Sequence, residues 1–188
     1  MKKNIVTISG FPGSGKSSTA KGVARILGYE HFSSGDLFRE MAAARGLTVE
    51  GINFAAEKQR EIDLEVDELL KKIGKEKNNL VIDSRMAFHW IPDAFKVFLD
   101  LDPETAAQRT FAHIQKEGRA SQVGSSLEEV RKNTLKRFES ERRRYKALYN
   151  VDFTEKSQFD LVVDTVANNL EEVIKIIVEA YKKWHESH

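Results

Sequence analysis

The sequence predicts an α/β fold: one domain in which a parallel sheet is sandwiched between helices. Three observations carry this expectation. The octapeptide Gly10-Phe11-Pro12-Gly13-Ser14-Gly15-Lys16-Ser17 fits G-x-x-x-x-G-K-[S/T] and lies between a β-branched run and a helical stretch. Five short apolar runs alternate with helical patterns along the chain, as strands and crossover helices do in a parallel sheet. A length of 188 residues suits a single domain large enough for a three-layer core.

Taken in order, residues 4–9 (Asn-Ile-Val-Thr-Ile-Ser) read as the first buried strand. A helix from Ser17 to Leu27 follows the glycine-rich turn and is closed by Gly28, a residue that tolerates the left-handed helix end. Residues 29–33 form a second apolar run. Residues 36–77 are almost continuously helical in pattern, interrupted at Gly46 and Gly51, and are longer than one crossover requires. They are expected to hold a small helical insertion. Residues 80–83 and 95–101 supply the third and fourth strands. Pro103 follows the fourth strand, and residues 104–116 read as the next helix, closed by Gly118. The small, polar segment that follows is expected to form a lid loop over 117–127. Ser126-Leu127-Glu128-Glu129 is a capping box for a long helix reaching about Tyr149. Residues 159–165 make the fifth strand. The last helix, 170–184, carries apolar residues at 170, 173, 174, 177 and 181, a stripe that faces a core.

Composition narrows the chemistry. The formal net charge is +1, so no global field draws the chain to nucleic acid or an anionic membrane. With no cysteine, the chain has no disulfide, thiol nucleophile or cysteine-bound zinc, which suits a reducing cytoplasm. No stretch of eighteen apolar residues is present, and the N-terminal apolar run is broken at once by Gly10 and Pro12. The expected partners are small nucleotides, with no nucleic acid and no membrane, and the chain is expected to act as a cytoplasmic monomer.

The octapeptide is a nucleotide-binding loop. Its glycines let successive N–H groups converge on one concavity, and the following helix N-terminus adds positive partial charge. Gly10, Pro12, Gly13, Ser14, Gly15, Lys16, Ser17 and Ser18 are therefore expected around the phosphates of ATP. Lys16 would reach the β/γ-phosphates and the Ser17 hydroxyl would ligate Mg²⁺. Leu80-Val81-Ile82-Asp83 is an apolar strand ending in a carboxylate, placing Asp83 as the second group directed at the metal. Arg85 follows at the sheet edge where open α/β folds bind ligands.

A second anion site is suggested by Ser33-Ser34-Gly35-Asp36-Leu37-Phe38-Arg39, in which Ser34 would start a helix and Asp36 and Arg39 follow within its first turns. An ordinary helix cap with a solvated arginine is the other reading of that segment. On the long helix, Arg137, Glu141 and Arg144 share one face at i, i+4 and i+7, beside an apolar stripe of Val130, Thr134, Phe138, Tyr145 and Leu148. A carboxylate between two arginines would aim both guanidinium groups at a common anion. Arg142 and Arg143 read as a solvated face, and Arg109 and Arg119 flank the loop expected to close. Asp63, Asp67 and Arg60 in the insertion are either base contacts or solvated helix charges. No histidine stands in a catalytic context: His31 lies in a strand, His89 in a loop, and His185 and His188 in the tail.

One phosphate loop, a metal-directing aspartate, a second anion pocket and many arginines describe phosphoryl transfer between two phosphates. Catalysis would be positioning plus electrostatic stabilisation, with water excluded by the lid. No general base is required, because the acceptor phosphate oxygen is already anionic.

With these residues in view, the chain resembles the nucleoside monophosphate kinases, and most closely the short, archaeal-type cytidylate kinases. Beside the phosphate loop, the likeness rests on residues 33–39, on Asp83-Ser84-Arg85 with Pro92-Asp93-Ala94-Phe95-Lys96-Val97-Phe98-Leu99, and on Ser140-Glu141-Arg142-Arg143-Arg144-Tyr145-Lys146. Asp160-Leu161-Val162-Val163-Asp164-Thr165 looks like that family's last strand. The resemblance implies a P-loop NTPase fold with a five-stranded parallel sheet of order 2-3-1-4-5, a monophosphate-binding insertion and a lid. It implies the reaction of ATP with CMP or dCMP to give ADP and CDP or dCDP, with Mg²⁺. Ser34, Arg39 and Arg85 would match acceptor contacts, and Arg137, Glu141 and Arg144 the set around the transferring group.

Two departures stand out. Met86 follows Arg85 where bacterial cytidylate kinases carry an aspartate, and the insertion is shorter than theirs. The phosphate loop with Ser33-Ser34-Gly35-Asp36-Leu37 also looks like adenylate kinases, whose Asp-Gly-Phe-Pro-Arg after the third strand is absent here. Adenylate or another small-acceptor kinase is the alternative activity. A non-enzymatic nucleotide-dependent switch is the alternative of a different class, and it would not need a second anion site.

Overall fold

A computed structural model describes residues 3–117 and 126–187. Five strands form one sheet in the order β2-β3-β1-β4-β5: β1 (Ile5–Gly10), β2 (Glu30–Ser33), β3 (Leu80–Asp83), β4 (Phe95–Asp100) and β5 (Leu161–Asp164). Every pairing is parallel. This is the anticipated order. β3 coincides with its apolar run, the other four strands are trimmed or shifted by a residue or two, and a 3-10 turn, Lys156–Gln158, precedes β5.

Eight helices surround the sheet among the described residues: α1 (Lys16–Leu27), α2 (Ser34–Ala44), α3 (Val49–Ala56), α4 (Glu61–Glu76), α5 (Ala87–Trp90), α6 (Pro103–Glu117), α7 (Leu127–Tyr149) and α8 (Leu170–Ser187). The alternation of side chains along β1 divides the core between two faces. Val6 and Ile8 join Val23 of α1 and Val173 and Ile177 of α8 on one face. Ile5 joins Ile52, Leu70 and Ile82 on the other, beneath α2–α4. All six residues of β1 are buried, as a central parallel strand requires. A third apolar cluster, with Phe11, Phe138 and Phe153, packs the middle of α7 beside the glycine-rich turn.

Local chemistry sets the helix limits. Ser126 Oγ accepts from Glu129 N at 3.2 Å and opens α7. Asp102 Oδ1 accepts from Glu104 N and Thr105 N, with Pro103 in the first turn of α6 where its missing N–H costs nothing. In α1, Gly22 allows close approach to α8: a Cβ there would stand 2.2 Å from Ile174 Cδ1.

Three expectations need correction. The helical stretch after β2 is three helices, and its second break is at 57–60 rather than at Gly51. Gly51 lies in the first turn of α3, where its N–H donates to the Thr48 cap at 3.0 Å. Helix α2 does begin at Ser34, as expected, with Ser33 as its cap, whose Oγ accepts from Asp36 N. His89 stands in the short helix α5, not in a loop. Leu170 is 47% exposed at the start of α8, and the buried stripe begins at Val173. The expected lid falls almost wholly on 118–125, with Arg119, and lies outside the described residues.

Candidate active site

Because all five strands run the same way, their C-terminal ends meet along one rim, and the registers bring Asp83 level with Ile8 of β1 and Ser33 of β2. The glycine-rich turn leaves β1 at this rim. Gly13 and Gly15 both take φ +82°, a region that a β-carbon disfavours, and a Cβ on Gly13 would approach Ala106 O to 2.7 Å. The backbone therefore curls tightly at the head of α1, and Ser14 is buried within it.

Lys16 arches back over this turn. Its Nζ donates to Gly10 O at 3.1 Å and Phe11 O at 2.9 Å. Burial, and then the Arg85 guanidinium, push its pKa down to about 7. Ser17 and Ser18 are exposed in the first turn of α1. The Ser17 hydroxyl donates to Asp83 Oδ2, which also accepts from Ser33 Oγ at 3.3 Å. A hydroxyl and a carboxylate side by side are hard oxygen donors of the kind Mg²⁺ takes beside a nucleotide's phosphates.

The second group of residues lies across the rim. Glu141 is buried and Arg85 largely so, with Arg85 Nε 2.6 Å from Glu141 Oε2. Arg137 Nε donates to the other oxygen, Glu141 Oε1, at 2.9 Å. Burial alone would raise the Glu141 carboxyl, but Arg85 and then Arg137 outweigh it and hold the pKa below the ordinary glutamate value. Arg144 departs from the expected arginine–acid–arginine arrangement. It shares the helix face but pairs with Asp63 of α4, through Nε to Oδ2 at 2.7 Å, and donates to Ser140 Oγ at 2.8 Å. Glu141 is thus clasped by Arg85 and Arg137, and Arg144 belongs to a neighbouring pair.

The insertion carries more of the site than spacing suggested. Asp63 and Asp67 are each 2% exposed, so neither is a solvated helix charge, whereas Arg60 is exposed. Asp67 accepts from Trp90 Nε1 at 2.9 Å and Tyr149 Oη at 2.6 Å, and burial raises its pKa to about 6. Ser140 Oγ donates to Glu57 Oε1 at 2.6 Å. Asn53 of α3 is buried, and its Nδ2 donates to Val49 O at 2.8 Å. A narrow cavity of about 40 Å³ runs between the insertion and α7, lined by Ser34, Asn53, Asp63, Arg85, Arg144 and Tyr145, among others.

Other sequence candidates lie outside this cluster. Arg39 is half exposed and pairs with Asp36 of its own helix. Arg142 forks onto Asp152, Arg143 is exposed, and Arg109 donates to Thr165 O at 2.6 Å. Asn53 was missed by sequence reasoning. Its one signal is an amide standing beside Ile52 in an otherwise apolar helix face.

A family model described as an AAA domain matches residues 9–147. The cytidylate kinase of Archaeoglobus fulgidus is 36% identical over 176 residues, covering 93% of each chain. That of Natronomonas pharaonis is 35% identical over 183 residues, covering 94% of this chain and 90% of the other. Among solved structures, the shikimate kinase of Bacteroides thetaiotaomicron superposes with a TM-score of 0.65 at 17% identity, over 95% of this chain and 98% of that one, a likeness of fold.

Proposed function

The chain belongs to the P-loop cytidylate kinases, and from that premise we propose that it moves the γ-phosphoryl group of ATP to CMP or dCMP, releasing ADP and CDP or dCDP. What supports the reading is the presence on one sheet rim of two groups suited to anions: the turn 10–17 with Lys16, and the Arg85–Glu141–Arg137 clasp.

In this reading Gly13, Ser14, Gly15 and Ser18 wrap the donor's phosphates with main-chain N–H groups and short hydroxyls, while Gly10 and Pro12 shape the turn around them. Ser17 and Asp83 would hold Mg²⁺, which when bound would neutralise part of the phosphates' charge. An acceptor phosphate oxygen attacks the γ-phosphorus as the bond to the β,γ-bridging oxygen breaks, and no proton has to move. Lys16 exchanges its two carbonyl partners for phosphate oxygens. Arg137 and Arg144 stabilise the equatorial charge of the transferring group, and Glu141 fixes the guanidinium planes of Arg85 and Arg137. Ser34, Asp36, Arg39 and Arg85 receive the acceptor, and the segment 117–127 closes over it.

The test is ADP release measured across CMP, dCMP, UMP, AMP and GMP. CMP and dCMP should raise turnover well above that with ATP alone. A panel in which no monophosphate does so rejects the kinase activity proposed here. Lys16→Ala should lower kcat by about 10²–10³-fold with the fold intact. Arg39→Ala, at a half-exposed site whose loss spares the fold, should raise KM for the monophosphate by roughly tenfold and leave that for ATP nearly unchanged. Equal weakening of both ligands would mean the acceptor pocket lies elsewhere.

A further inference from the structure

Three residues of the insertion are natural candidates for reading the acceptor base, and each is otherwise engaged. Arg60 is exposed at the head of α4. Both oxygens of Asp63 receive Arg144, at 2.7 and 3.3 Å. Both oxygens of Asp67 are taken, by Trp90 and Tyr149.

Asn53 is different. It is 6% exposed and lines the cavity between the insertion and α7. Its Nδ2 donates to Val49 O one turn back in α3, and this fixes which way round the amide sits, since a flipped amide would set two carbonyl oxygens against each other. Oδ1 then has no partner among the described residues although the atom is buried. A buried acceptor left unmatched is costly, and a site built around one rejects ligands that cannot donate to it.

We infer that Asn53 reads the acceptor base, its Oδ1 accepting a hydrogen bond from the exocyclic amine of cytosine. This rests on the proposed kinase activity. Uracil presents a carbonyl where cytosine presents the amine, so its oxygen would face Oδ1 and leave both acceptors unmatched. Because Val49 O holds the amide, Asn53 cannot swap ends to donate instead, which is how a freely rotating asparagine would accept both pyrimidines. Tyr145 lines the same cavity, and burial, then Asp63, raise its pKa well above the ordinary tyrosine value. Its ring face is therefore a neutral wall against which a base can lie. Adenine also carries an exocyclic amine, so the chemistry read is an amine donor, and the acceptor panel separates the two bases.

The experiment compares kcat/KM for CMP, UMP and AMP in the wild-type protein, Asn53→Ala and Asn53→Asp, with thermal melts to verify folding. Wild-type protein should prefer CMP to UMP by at least about 100-fold. Asn53→Ala should lower kcat/KM for CMP about 10- to 100-fold, mainly through KM, leave that for UMP unchanged or raised, and leave KM for ATP unaffected. Asn53→Asp keeps an acceptor there but loses the bond to Val49 O, so it should lower kcat/KM for CMP while retaining most of the preference for CMP over UMP. A CMP-to-UMP ratio unchanged in Asn53→Ala overturns the assignment while leaving the kinase activity standing. If Asn53→Ala fails to fold, retention of the preference in Asn53→Asp supports the assignment and its loss overturns it. A wild-type preference for AMP that collapses in Asn53→Ala supports amine reading and overturns cytosine as the base. A wild-type protein that phosphorylates no monophosphate overturns both proposals together.

Discussion

The ammonium of Lys16 is held by two main-chain carbonyls, and burial beside Arg85 brings its pKa to about 7, so near neutrality much of it is uncharged. A triphosphate placed against Nζ favours the charged form and raises that pKa. Binding should therefore take up as much as about one proton above pH ~7, and affinity should fall with rising pH by at most about tenfold per unit. Titration calorimetry of MgATP in two buffers of different ionisation enthalpy measures the uptake. Lys16→Arg should abolish it, because a guanidinium remains charged throughout. A wild-type affinity that stays flat between about pH 7 and 9 would show that the ammonium keeps its charge without ligand.

Helices α1 and α8 meet at Gly22, where Ile174 fills the space a side chain would take. Gly22→Ala gains roughly 1 kcal/mol of helix propensity but forces Ile174 aside, at about 1–3 kcal/mol. A net fall in melting temperature of a few degrees is expected, and Ile174→Val, which removes the clashing Cδ1, should recover part of it in the double variant. That contact was invisible in the sequence, where Gly22 reads as one more residue of a helical run. What could be read is whatever depends on neighbours in the chain: the glycine-rich turn between strand and helix, the Ser126 capping box, the stripe of α8. The break at 57–60 escaped because Glu57, Lys58, Gln59 and Arg60 are good helix formers with no glycine or proline among them. Helix spacing correctly put Arg137, Glu141 and Arg144 on one face but could not say what else reaches that face. Asp63, eighty-one residues from Arg144 in sequence, takes it instead.

Across the whole molecule, the insertion is tied to α7 by Glu57–Ser140, Asp63–Arg144 and Asp67–Tyr149. The cavity between them, about 40 Å³, is far below the ~300–1,000 Å³ that ligand sites occupy, so on the proposed activity the insertion would have to swing outward to admit a nucleotide. Asp67 adds a pH dependence to this seam. Its folded pKa of about 6 exceeds the unfolded value, so the stability it contributes is greatest below about pH 4 and declines until about pH 6. Asp67→Asn removes the buried charge and should raise stability by ~1–2 kcal/mol at pH ~8, with the gain vanishing near pH ~4. Thermal melts at the two pH values check this, and a variant that gains nothing at the higher pH would show the carboxylate to be well solvated. The same seam has an electrostatic consequence. Arg144 is matched by Asp63, whereas Arg85 and Arg137 divide the single carboxylate of Glu141. The polypeptide can thus close around three guanidinium groups without borrowing an anion from solution. On the proposed activity, an arriving phosphate would meet a half-matched guanidinium pair rather than a repelling cluster.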